Sequence, residues 1–200
     1  APDKYNRNAW DDDETNDEQW PYRVKFSGTD LLGNVTIPEG APTDVETSLE
    51  VSLDASSESY PLHTFNLLND GVMEKIAKAF KLQPSEIAGA TLDAGTVKAD
   101  GFSGPADGKV AVGLTNPDGK VSYAYSANGI GFWIAADGTA SSWGDAPIYY
   151  EYDAGGYGLT VGHNPGHSEK GKTYIIKPTM VYNKGGKLHK AVITIKMKFA

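Results

Sequence analysis

The sequence predicts a mostly β fold, a β-sandwich of immunoglobulin-like or jelly-roll type with a short helical excursion near residues 69–90. Three observations carry that prediction. Apolar and polar residues alternate through many short runs, as on strands with one face in a core. Turn residues separate those runs at hairpin spacing. Only residues 69–80 break the alternation with a helical repeat.

Residues 1–22 come first and are expected to be an acidic, solvated tether. Residues 1–20 hold seven acids and two bases, a net of −5, with no apolar periodicity. The four consecutive acids at Asp11–Glu14 lack the spaced carboxylates and glycine turn of a Ca2+ loop. Residues 23–200 are read as one domain. Arg23–Phe26 alternates, and so do Leu49, Val51 and Leu53 against Glu50, Ser52 and Asp54. Next, Val72, Met73, Ile76, Ala77 and Phe80 fall on one helical face, with Asn69 or Asp70 as the expected N-cap. Gln83-Pro84-Ser85-Glu86 starts a second short helix, because proline suits a first helical position. This pair superficially resembles a helix-turn-helix, but Ser85–Leu92 contains no Lys or Arg to meet phosphates, so a helical cap on a sheet is expected instead.

The chain then becomes dense in strands. Val110, Val112 and Leu114 alternate, Asn116-Pro117-Asp118-Gly119 turns, and Val121, Tyr123 and Tyr125 alternate back. Ile130–Ala135 precedes an Asp137-Gly138 turn. Pro147–Asp153, Tyr157–Val161, Tyr174–Tyr182 and Lys190–Phe199 follow, for roughly eight to ten strands in all. Residues 169–200 carry eight Lys and one acid, and these lysines read as solvated strand faces that also discourage edge-to-edge pairing.

Composition narrows the function classes. At 40% hydrophobic the chain can build a core. It has no Cys, hence no disulfide, thiol nucleophile or Cys-based zinc site. A net charge of −8 argues against a general nucleic-acid binder. No apolar run approaches the roughly 18 residues of a membrane helix. Hydrolase elbows, zinc-protease helices, phosphate loops and dinucleotide fingerprints are missing. Glu151 and Asp153 share a strand face, but glycosidase carboxylates flank a cleft from different strands, so neither is assigned catalysis. His163 and His167 share a turn-forming loop and lack a third metal ligand. No catalytic residue, metal or cofactor is expected.

The ordered series Gly131-Phe-Trp-Ile-Ala-Ala-Asp-Gly138, Trp143-Gly-Asp145, Gly162-His-Asn-Pro-Gly166, Gly171-Lys-Thr-Tyr-Ile-Ile-Lys177 and Val181-Tyr182 resembles an uncharacterised domain family. Its members are secreted proteins and surface lipoproteins of Bacteroides-type gut bacteria, often beside glycan-processing proteins. The likeness spans roughly residues 45–200. It implies an exported chain, extracellular or on the outer-membrane surface, in which the acidic start is a spacer behind a lipid anchor that has been removed. Where relatives carry Asp-x-Asp-Gly or Asp-x-Asn-Gly, this chain reads Ala135-Ala136-Asp137-Gly138, one cation ligand short.

The candidate site is aromatic. Alternation turns Trp133 away from Ile130, Phe132 and Ile134, and Tyr149 away from Ile148, Tyr150 and Tyr152. Trp133, Trp143, Tyr149 and Tyr157 are therefore expected to form a partly exposed patch, with Asp145, Glu151 and Asn128 as hydrogen-bonding partners. Sugars stack their C–H faces on such rings while carboxylates and amides bond their hydroxyls. The expected function is a non-catalytic extracellular binding module for glycan. The alternative is a structural or adhesion domain that meets other surface proteins.

Overall fold

The computed structural model describes residues 43–92, 96–99, 102–123, 130–153 and 155–200. The acidic tether, the Arg23–Phe26 run and Asn128 lie outside them. The described chain is a mostly β sandwich of a six-stranded and a five-stranded sheet.

The five-stranded sheet holds β2 (Pro61–Asn66), β7 (Ile130–Ile134), β8 (Ala140–Ser141), β9 (Ile148–Asp153) and β10 (Gly158–His163), in the order β2-β10-β9-β7-β8. All its pairings are antiparallel. Ile148, Tyr150 and Tyr152 are buried, as the alternation predicts, and Glu151 and Asp153 are exposed between them. One face of this sheet thus closes the core and the other meets solvent.

The six-stranded sheet is built around β13 (Lys187–Phe199), the longest strand. Along one edge β13 meets β1 (Thr43–Leu53) in parallel, Val45 beside Ala191 through Leu53 beside Phe199. Along its other edge it meets β12 (Pro178–Lys184) and then β11 (Thr173–Ile176), both antiparallel. The expected single strand Tyr174–Tyr182 is therefore split, although Ile176 opposite Ile195 and Thr179 opposite Val192 keep one register. Pro178 has no N–H to give the ladder, which breaks there. Instead the Lys177 carbonyl turns to accept from the Thr115 N–H and the Thr179 hydroxyl, each at 2.9 Å. Beyond β12 lie β5 (Val110–Thr115) and β6 (Val121–Tyr123), joined by the expected Asn116–Gly119 turn. A separate hairpin, β3 (Thr96–Ala99) with β4 (Phe102–Pro105), brings the described strands to thirteen, more than the eight to ten expected.

Helices α1 (Val72–Phe80) and α2 (Pro84–Leu92) form the excursion. All five residues of the predicted α1 face are buried, and Phe80 packs on Tyr182 with ring centroids 5.4 Å apart. The capping expectation fails. Gly71, at φ 80°, precedes the helix, and Asn66 Oδ1 accepts from the Leu68 and Asn69 N–H groups at 3.1 and 3.0 Å. These bonds form an Asx turn ahead of the helix, and the first-turn Met73 N–H is met by the Leu67 carbonyl at 2.8 Å and by no side chain. The start of α2 is as predicted: Pro84 leads, and Glu86 Oε1 accepts from the Gln83 N–H at 2.7 Å, half of a capping box.

The main core lies between the sheets and under α1, joining Ile148, Leu159 and Val161 to Val112, Met180 and Ile193. A second cluster of Ala111, Val121, Tyr123, Val181 and Leu188 occupies the alternate positions of the six-stranded sheet. β5 and β12 are therefore buried on both faces along nearly their whole length, with Thr179 and Asn183 among the buried residues.

Candidate functional site

The outward face of the five-stranded sheet carries a cleft of about 340 Å3. Its lining includes Tyr60, Gly131, Trp133, Tyr149 and Glu151. Pairing of β9 with β7 sets Tyr149 directly opposite Trp133 and Glu151 directly opposite Gly131. Residues paired in this way share a face, so two positions on each strand define the four corners of the site.

Two glycines shape it. At Gly131 a Cβ would fall on the Tyr150 carbonyl oxygen, so β7 and β9 approach here as only glycine permits. Gly131 and Glu151 both line the cleft at this point. Gly162, opposite Tyr149 on β10, gives the Tyr149 ring room to lie across the strand; a Cβ there would come within 2.8 Å of its Cζ.

The rings are packed at angles. Trp133 and Tyr149 have centroids 5.0 Å apart with planes at 51°. Tyr60 meets Trp133 edge-on, 6.3 Å away at 78°. Trp133 and Tyr149 are half-buried and Tyr60 is exposed. Burial first, and the Glu151 charge second, push the Tyr149 hydroxyl up to about 12, so it is a neutral hydrogen-bonding group at any physiological pH.

The structure thus joins three of the predicted residues, Trp133, Tyr149 and Glu151, and separates others. Trp143 is 57% exposed in the short 3-10 turn Trp143–Asp145, with Asp145 also exposed. That turn is tied to the His163–Ser168 loop through Asn164, whose Nδ2 donates to the Trp143 carbonyl at 3.0 Å. No ring contact joins Trp143 to Trp133 or Tyr149 among the described residues. Tyr157 does not belong to the cleft. It sits at φ 60° beyond the far end of β9 and packs against the main core. Four strand residues, about 13 Å, separate that end from Tyr149.

Tyr60 is the residue that sequence reading misses. It precedes β2 in a Ser-Glu-Ser-Tyr-Pro stretch with no strand pattern, and reaches Trp133 only because β2 pairs with β10. Its carbonyl accepts from the His163 N–H at 3.0 Å, which holds it at the sheet edge. Gly131 had a readable signal, since an isolated glycine inside a strand marks close backbone approach.

Other polar groups are engaged, apart from the buried Nε2 of His163, which has no hydrogen-bond partner among the described residues. His163 is buried, with Nδ1 2.7 Å from the Ser168 hydroxyl and its ring stacked on Phe199, while His167 Nδ1 lies 3.3 Å from the Pro165 carbonyl. The cross-strand neighbours of Glu151 are Gly131 and Thr160, and that of Asp153 is Gly158, so no carboxylate faces either. A second hollow beside Asn116 is lined by polar groups that bond one another: Asn116 accepts from the Ala140 N–H and donates to the Lys120 carbonyl and the Ser122 hydroxyl.

Comparison with known proteins places residues 59–187 in a family described as a domain of unknown function, DUF4859. The matched stretch contains every cleft residue and leaves out β1 and most of β13, a narrower span than the 45–200 expected. No curated protein and no solved structure matches the chain.

Proposed function

The chain belongs to the DUF4859 family, domains of unknown function, so its role has to be read from its own surface, and we propose that it is a non-catalytic extracellular module that binds glycan. One observation carries the reading. Trp133, Tyr149 and Tyr60 meet in a single cleft on a solvent-facing sheet, with the Glu151 carboxylate at its side. Rings exposed in this way offer apolar faces to sugar C–H groups, and the carboxylate and tyrosine hydroxyls supply hydrogen bonds. Trp143 stands exposed in the turn that leads into β9, outside the cleft lining. The exported, lipid-anchored setting rests on the resemblance of residues 129–182 to secreted lipoproteins.

A glycan array probed with the intact chain, Trp133→Ala and Trp143→Ala tests this. We expect Trp133→Ala to lose most of the signal and Trp143→Ala to weaken it. A signal that survives both changes rules out this patch. An array silent for the intact chain overturns the reading in favour of a structural or adhesive surface domain.

A further inference from the structure

Charge is divided between the two sheets. The strands of the six-stranded sheet carry Lys184, Lys187, Lys190, Lys196 and Lys198, against Asp44, Glu46 and Glu50 on β1. The strands of the five-stranded sheet carry no Lys or Arg at all. The chain between β7 and β9, residues 135–147, has none either, and contributes Asp137 and Asp145. Glu151 and Asp153 project from the same face as the cleft rings. Among the described residues, a uronate or sulfate brought to these strands would meet the carboxylates of Glu151 and Asp153 and no strand guanidinium or ammonium.

Ring geometry narrows the ligand further. A group clasped between two parallel rings needs about 7 Å between them, two van der Waals contacts deep. Trp133 and Tyr149 stand 5.0 Å apart and inclined, so they form one wall and not a pair of jaws. The space that remains is the corner over Gly131, bounded by the Trp133–Tyr149 wall and by Glu151. A compact cationic head suits such a corner. It gains from the negative faces of the rings and from the carboxylate together.

Resting on the glycan reading above, we propose that the sugar taken by this cleft is a hexosamine with a free, protonated amine, its ammonium seated over Gly131 against Glu151 and the Trp133–Tyr149 wall. The cleft then discriminates by charge: amine-bearing residues bind best, neutral hexoses less well, and uronates worst.

Calorimetric titration of the intact chain with hexamers of glucosamine, N-acetylglucosamine, glucose and galacturonate tests this at low salt. We expect the glucosamine hexamer to bind about five- to twenty-fold tighter than the glucose hexamer, the scale of one exposed ion pair with one cation–π contact. Glu151→Gln should bring that ratio close to one. Glu50→Gln, on β1 of the other sheet, should leave it unchanged and so separates the site from the general acidity of the chain. Equal binding of all four sugars, a preference for the acetylated hexamer, or a ratio unmoved by Glu151→Gln overturns the amine assignment and leaves the glycan reading standing. If no hexamer binds, both fall.

Discussion

The Tyr150 hydroxyl donates to the Gly113 carbonyl at 2.6 Å, and this buried bond ties the five-stranded sheet to the six-stranded one through the middle of the core. Tyr150 is neighboured along β9 by Tyr149 and Glu151, so the bond also fixes the strand on which the cleft is built. Tyr150→Phe removes the donor and leaves a buried carbonyl without it. We expect a loss of about 1–2 kcal/mol in unfolding free energy, read from the urea midpoint at unchanged m-value. A midpoint equal to wild type would show that the bond adds nothing.

Alkali should unfold the protein through its tyrosines. Burial raises Tyr150 and Tyr152 far above the ordinary tyrosine range, and Tyr149 reaches about 12. A tyrosine near 10 in the unfolded chain loses its proton first there, so the unfolded state gains as pH rises. The stability these groups contribute is whole below about pH 10 and declines above it. Unfolding free energy measured across that range should fall, and less steeply in Tyr150→Phe. Parallel slopes would refute the assignment.

Two glycine substitutions should act in opposite directions. Gly131→Ala drives a methyl group into the Tyr150 carbonyl and must part β7 from β9. We expect a loss of about 2 kcal/mol or more together with loss of whatever the cleft binds. Gly89→Ala, on α2 with nothing within 4 Å of the new methyl, should gain about 0.5–1 kcal/mol. Thermal melts of the two variants decide both at once.

The helical excursion is expected to be structural. Ile76 is fully buried against the sandwich, so Ile76→Ala should cost about 2–4 kcal/mol. Lys75→Ala, on the exposed face of the same helix, should stay within about 0.5 kcal/mol. Equal, small effects from both would mean that α1 is not seated on the core.

Much of the fold was legible because its signals are local. Alternation placed Ile148, Tyr150 and Tyr152 inward and Tyr149 and Glu151 outward, and all five lie as read. A 3.6-residue repeat likewise named the buried face of α1. The misreadings have local causes too. Gly71 and the Leu67 carbonyl took the place expected of Asn69 or Asp70 at the start of α1, and Pro178 cut a strand whose register runs on past it. In the site, Trp133, Tyr149 and Glu151 were visible from alternation alone. Tyr60 was not, and neither was the separation of Tyr157.

The sequence by itself determined which face of each strand is apolar, where the hairpins turn and how the charge is divided along the chain, because each depends on residues a few positions apart. Only the tertiary structure decided which outward faces lie side by side. Tyr60 reaches Trp133 across 72 intervening positions of chain because β2 pairs with β10, and Glu151 shares the cleft with Trp133 because β9 pairs with β7. Such pairings are chosen by the burial of two whole sheets against each other, a long-range energy that no short window of residues records.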